Sequence, residues 1–124
     1  MNFTITTKDK FALVVSNVDK LDTTCAPELK SELVYLNKTG MRNIIIDLAK
    51  TRYCDSSGLS ALLVANRLCK GVNGTLVICT LQEPVMKLIQ ISQLESVLSI
   101  TPTVNEATDL LYMEEIEKDV KKEN

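Results

Sequence analysis

The chain has 124 residues, 45% of them hydrophobic, which suits one domain with a real core; no long polar stretch marks a second. A net charge of -2, a pI near 5.2 and the lack of any basic cluster interleaved with aromatics argue against a nucleic-acid partner. Histidine is absent, which removes Ser-His-Asp and Cys-His catalysis and the commonest metal ligand together.

The N-terminus, Met1-Asn2-Phe3-Thr4-Ile5-Thr6, carries no charged leader, and no apolar window approaches the ~18 residues of a membrane span. A cytoplasmic protein without membrane insertion is expected. Phe3-Thr4-Ile5 and Phe11 to Val15 read as two strands joined by a hairpin through Thr7-Lys8-Asp9-Lys10. Asn17 to Thr24 reads as a polar loop, after which Thr23 or Thr24 can cap a first helix with Pro27 in its first turn. The core stripe of that helix is Leu29, Leu33 and Leu36, with Lys30, Glu32 and Asn37 toward solvent and Gly40 as its end.

Asn43 to Leu48 follows as a central strand, because three consecutive isoleucines, stiff at χ1, fit a sheet covered on both faces. A second helix is predicted from about Ser57 to Lys70, carrying Leu59, Leu62, Leu63, Ala65 and Leu68. Gly71-Val72-Asn73-Gly74 breaks the chain, and Thr75 to Cys79 returns as a buried parallel strand. Pro84 opens a short helix through Ile91, and Leu98-Ser99-Ile100 reads as a brief strand. Thr103-Val104-Asn105-Glu106 then matches a capping box for a last helix with Ala107, Leu110 and Leu111 inside. Beyond Tyr112 the chain is strongly charged, with Glu114–Lys118 and Glu117–Lys121 four apart, as in a helix end running into solvent.

The chemistry concentrates at the corner Cys54-Asp55-Ser56-Ser57-Gly58-Leu59, where the central strand gives way to the second helix. Ser56 or Ser57 can cap that helix, and a hydroxyl at a helix N-terminus is a favourable place to carry a phosphate. The four cysteines, Cys25, Cys54, Cys69 and Cys79, form no C-x-x-C pair and read as small buried hydrophobes, so neither a metal site nor a redox dithiol is expected. Gly71-x-x-Gly74 is too short for a phosphate-binding loop. No cofactor and no catalytic residue are expected, because a nucleophilic serine needs an adjacent base that no motif supplies.

The order β-β-α-β-α-β-α-(β)-α, with Leu21-Asp22 before the first helix, Arg42 to Leu48 as the strand, Asp55-Ser56-Ser57-Gly58-Leu59 at the corner, Gly74 to Cys79, and Pro84-Val85 with Leu88 and Leu94, resembles the STAS domain of bacterial anti-sigma factor antagonists. The resemblance implies an α/β fold: a single STAS-like domain, with a mixed β-sheet of four to five strands packed with about four helices. Residues 1–113 would form the domain and 114–124 a charged C-terminal helix extension or tail. It further implies a chain that binds an anti-sigma factor which is also a serine kinase, and is released when phosphorylated at the serine directly after the aspartate, here Ser56, with Ser57 the second choice. A PP2C-type phosphatase would reverse the step, and sigma-factor-dependent transcription would be the output. The alternative is an adaptor STAS domain in a transport or signalling complex whose serine is unused.

Asp22, Asp55, Ser57 and Gly58 are the expected neighbours of the switch, although Asp22 can equally be an Asx-turn residue. Ser60, Val64 and Arg67, in line from Ser56 along the second helix, form the candidate partner surface, to which Thr51, Arg52 and Tyr53 can add. Two positions depart from the family pattern: Lys20 precedes Leu21-Asp22 where glycine is common, and Gln93 also stands at a glycine position.

Overall fold

The computed structural model of the chain describes residues 1–123, with backbone alone at 122 and 123; Asn124, the last residue of the expected extension, lies outside them. In chain order the elements are β1 (Phe3–Thr7), β2 (Ala12–Ser16), β3 (Lys20–Leu21), α1 (Ala26–Lys38), β4 (Ile44–Asp47), β5 (Tyr53–Cys54), α2 (Ser56–Gly71), β6 (Leu76–Cys79), α3 (Glu83–Ile91), β7 (Ser99–Thr101) and α4 (Val104–Glu123). The hairpin β1–β2 is antiparallel, and β2, β4, β6 and β7 follow in parallel, giving one mixed sheet in the order β1-β2-β4-β6-β7. Five strands and four helices match the expected fold class.

The isoleucine run works by alternation. Ile44 and Ile46 face the larger core with Leu29 and Leu33 of α1 and Leu62 and Ala65 of α2. Ile45 points the other way, into a smaller core with Val77, Cys79, Ala107 and Leu111, which α4 closes. A strand covered on both faces needs apolar side chains at successive positions, and the period-2 geometry sends neighbours to opposite layers. Gly40, at φ 95, ends α1 as expected, and Gln93, at φ 59, adopts the left-handed conformation that a glycine would take more readily.

Four local readings change. The segment 17–24 is not simply a polar loop: β3 within it pairs in parallel with β5, Leu21 opposite Cys54, and Leu21 is fully buried. Two-residue strands carry too little periodicity to show in a sequence. Neither Thr23 nor Thr24 caps α1; its N-cap is Cys25, whose side chain makes no capping bond, and Asp22 Oδ1 captures both the amide of Thr24 at 3.0 Å and its hydroxyl at 2.6 Å. Neither serine caps α2, since Asp55 takes that role.

The fourth change concerns the charged turns of α4, a helix that continues past residue 113. Glu117 and Lys121 form the expected pair at 3.6 Å. Glu114 and Lys118 instead turn inward, and both bond Thr75 Oγ1, at 2.9 Å each, while Lys118 also donates to the Asn73 carbonyl at 3.0 Å. Glu115 accepts from Asn43 Nδ2 at 2.8 Å and pairs with Arg42 at 3.1 Å. These polar groups fasten α4 to the foot of the sheet, where the parallel strands begin.

Candidate functional site

The site lies at the opposite end, where β2, β4 and β6 finish and their loops meet; in open α/β sheets, ligands and partners gather at this carboxyl end. Two loops build it, residues 17–25 and 48–55, and they are tied together at several points. β3 pairs with β5, and the Asp55 amide donates to the Leu21 carbonyl at 3.2 Å. Thr51, fully buried, bonds the Ser16 hydroxyl at 2.7 Å and donates to the Val18 carbonyl at 2.8 Å. Outside, Arg52 forks onto Asp19 at 2.6 and 3.0 Å and lies 5.5 Å from the centre of the Tyr53 ring. Of the three loop residues expected at a partner surface, Arg52 and Tyr53 are therefore exposed, whereas Thr51 is an internal brace.

Asp55, in extended backbone conformation, caps α2: its Oδ1 accepts from the amides of Ser57 at 2.9 Å and Gly58 at 3.0 Å. Aspartate can do this where the serines cannot, because the residue just outside the first helical turn is the one whose side chain reaches back to those amides. Ser56 is thereby freed from structural duty. It occupies the first helical position and is exposed. Ser57 is half-buried, and Gly58 is buried beneath them, where a Cβ would meet the Leu21 carbonyl and come within 2.6 Å of Cys54 Sγ.

On one side of Ser56 a shallow groove of about 340 Å³ runs between the helices, lined by Thr23, Pro27 and Lys30 of the α1 side and Ser56, Ser57 and Ser60 of α2. On the other side a hollow of about 220 Å³ brings Asp22 and Asp55 together with Lys20, Tyr53 and Cys54. Asp22 thus stands beside the corner and is also an Asx-turn residue; the two readings of it are compatible. The Thr24 hydroxyl and amide, helped by Lys20, hold its carboxyl below the usual range. Arg52 does the same for Asp19, chiefly through its hydrogen bond. Burial, reinforced by the neighbouring Asp55 charge, pushes the Cys54 thiol up to about 12, which leaves it a poor nucleophile at neutral pH.

Along α2, Ser60 and Val64 are half-buried and Arg67 is exposed, so the expected stripe is narrower than its spacing suggested. Ser60 turns into the groove, toward α1. Sequence reasoning missed the other wall: Lys30 lines both this groove and the adjoining hollow with Ser31, Val34, Tyr35 and Lys38, where Tyr35 is 65% exposed. A large exposed aromatic on a helix otherwise read as one-sided is the signal that could have found it. Among the described residues no three His, Cys, Asp or Glu side chains gather to hold a metal ion, and no helix is long and apolar enough to cross a membrane.

The chain is similar to the anti-sigma-B factor antagonist of Staphylococcus aureus, at 28% identity over 110 residues, 89% of this chain and 97% of that protein. It is 34% identical to BtrV of Bordetella bronchiseptica over 80 residues, 64% of this chain and 66% of that one. Its fold superposes on the Bacillus cell-fate determinant SpoIIAA, solved in its phosphorylated form, with a TM-score of 0.68 at 20% identity, covering 86% of this chain and 96% of the other. The STAS domain model matches residues 2–107, and with anti-sigma factor antagonists among its relatives, this chain belongs to the STAS domain family.

Proposed function

We propose that the chain is an anti-sigma factor antagonist switched at Ser56: unmodified, it binds an anti-sigma factor with serine kinase activity, and phosphorylation releases it, so regulating sigma-factor-dependent transcription. The observation that carries this reading is the division of labour at the corner, with Asp55 capping the helix and Ser56 left exposed at its first position. A serine that carried the cap could not be modified without loosening α2. In the transfer, Ser56 Oγ bonds to the γ-phosphorus of ATP, ADP leaves, and the hydroxyl proton goes to a base of the kinase. Hydrolysis by a PP2C-type phosphatase would restore the serine.

The charge logic follows from the two sides of the corner. A phosphate adds about -1.5 to -2 charges and strong acceptor oxygens. It would face Lys30 across the groove and the carboxylates of Asp22 and Asp55 on the other side. With the Ser57 and Gly58 amides already taken by Asp55, Lys30 is the group that can pair with the phosphate without a change of fold, so release acts through local charge and desolvation at the partner interface, on a surface that includes Ser60, Val64 and Arg67.

The test is incubation with the cognate kinase and ATP, mass mapping, and pull-down of the kinase by both forms. Phosphate on Ser56 with loss of binding is the expected result. No phosphate at Ser56, with tight binding to a transport subunit instead, would favour the adaptor reading.

A further inference from the structure

The solvent face of α4, at the far end of the molecule from Ser56, carries three large apolar side chains on adjoining turns. Met113 is 67% exposed, Ile116 63% and Val120 52%, while Tyr112 beside them is held edge-on against Phe11, with ring centres 6.3 Å apart. Spacings of three and four place them in one stripe rather than scattered over the helix. This stripe is not the face that packs on the sheet, which uses Ala107 and Leu111. Nor does it lie on a fraying end, because Glu114, Glu115 and Lys118 fasten the same two turns to Thr75, Asn43, Arg42 and Asn73. A rigid helix with an exposed apolar stripe costs solubility, and such stripes mark contact sites.

The charges around the stripe decide what would cover it. Glu106, Asp109 and Asp119 are exposed on the same side of α4. Two of the helix's lysines are engaged, Lys118 with Thr75 and Asn73, and Lys121 with Glu117. Among the described side chains the border is therefore acidic. A second copy of the chain would set like charges against one another, and an anionic membrane or a nucleic acid would be repelled. From this complementarity we infer that the outer face of α4 is a second docking surface, which takes a cationic amphipathic protein segment: apolar anchors on Met113 and Ile116, and lysines or arginines against Glu106, Asp109 and Asp119. An amphipathic helix laid along another helix reads such a pattern by its own i, i+3, i+4 anchors. The surface lies across the sheet from Ser56 and is independent of the phosphorylation switch.

The experiment uses the full chain, labelled with nitrogen-15, titrated with a synthetic helical peptide of leucine and lysine arranged amphipathically. A scrambled peptide of the same composition and a glutamate-for-lysine version serve as controls. Saturable shifts confined to residues 106–121, weakened by salt, are expected with the amphipathic cationic peptide alone. Ile116→Glu, at a position exposed enough to leave the fold intact, is expected to weaken that binding about tenfold or more. The double reversal Asp109→Lys with Asp119→Lys should do the same without touching the apolar anchors, whereas Ser56→Asp should leave it unchanged. Shifts elsewhere, equal shifts with either control peptide, no saturable binding, or a dimer that Ile116→Glu dissolves would each overturn the inference.

Discussion

Gly58 presses its Cα against Leu21, so closely that a methyl group there would overlap the Leu21 carbonyl. This contact joins the first turn of α2 to β3 and sets where Ser56 stands relative to Asp22. Gly58→Ala should destabilise the protein by about 2 kcal/mol, since backbone cannot yield as a flexible side chain could, and overpacking outweighs the ~1 kcal/mol that alanine gains over glycine in a helix. Urea denaturation reads this, and an unchanged midpoint would mean that the two segments move apart freely.

The cap and the switch should separate in mutagenesis. Asp55→Ala removes the acceptor of two helix amides and should cost about 1 kcal/mol, whereas Ser56→Ala should cost less than about 0.5 kcal/mol. Equal losses would return the serine to a structural role.

Phosphorylated Ser56 should leave the sheet as it is. Amide shift changes on phosphorylation should cluster at residues 17–31 and 49–61 and be absent from α4. Widespread changes through β4 and β6 would replace a local charge mechanism with a conformational one.

Glu115 gives the fold a pH dependence of known sign. Burial pushes its carboxyl up, but the Asn43 amide, Arg42 and Lys118 together outweigh this and hold it below its ordinary value of 4.5. A group with a depressed folded pKa contributes stability that is complete above its unfolded value and lost as pH falls through the folded one. Resistance to urea should therefore decline on acidification below about pH 4.5, and Glu115→Gln should flatten that part of the decline. Asp19 and Asp22 are shifted in the same direction, so a residual slope will remain.

The thiols should be inert in the native state. Burial lifts Cys69 to about 11 as well as Cys54 to about 12, and Cys79 shifts upward too. At pH 8 a thiol-reactive dye should label these three slowly, and all four cysteines promptly in denaturant. Prompt labelling of Cys54 without denaturant would reveal opening of the β5–α2 corner.

The sheet was legible because its information is local: Ile44, Ile45 and Ile46, and then Leu76 to Cys79, are apolar runs too short for helices and bounded by turn residues. The corner was legible as a motif, while its wiring was not. Asp55 rather than Ser56 caps the helix, a difference of one position that only backbone geometry decides. Lys30 enters the site from a helix about 26 residues away in sequence, and no local pattern announces such a meeting. At α4 the inward Glu114, Glu115 and Lys118 looked like solvent residues, because polar groups that brace a sheet end carry no hydrophobic period.

The buried Thr51 hydroxyl, bonded to both Ser16 and Val18, has a bearing on how this chain can change over evolutionary time. It welds the segment after β2 to the segment after β4, and their lengths are therefore coupled. Residues inserted into one would have to be matched in the other, or Thr51, Leu21 and Gly58 would lose register together. The turn at 92–97 bears no such cross-tie to the corner and is where length variation should accumulate. Divergent descendants of this chain should thus vary in size around a corner whose spacing does not drift.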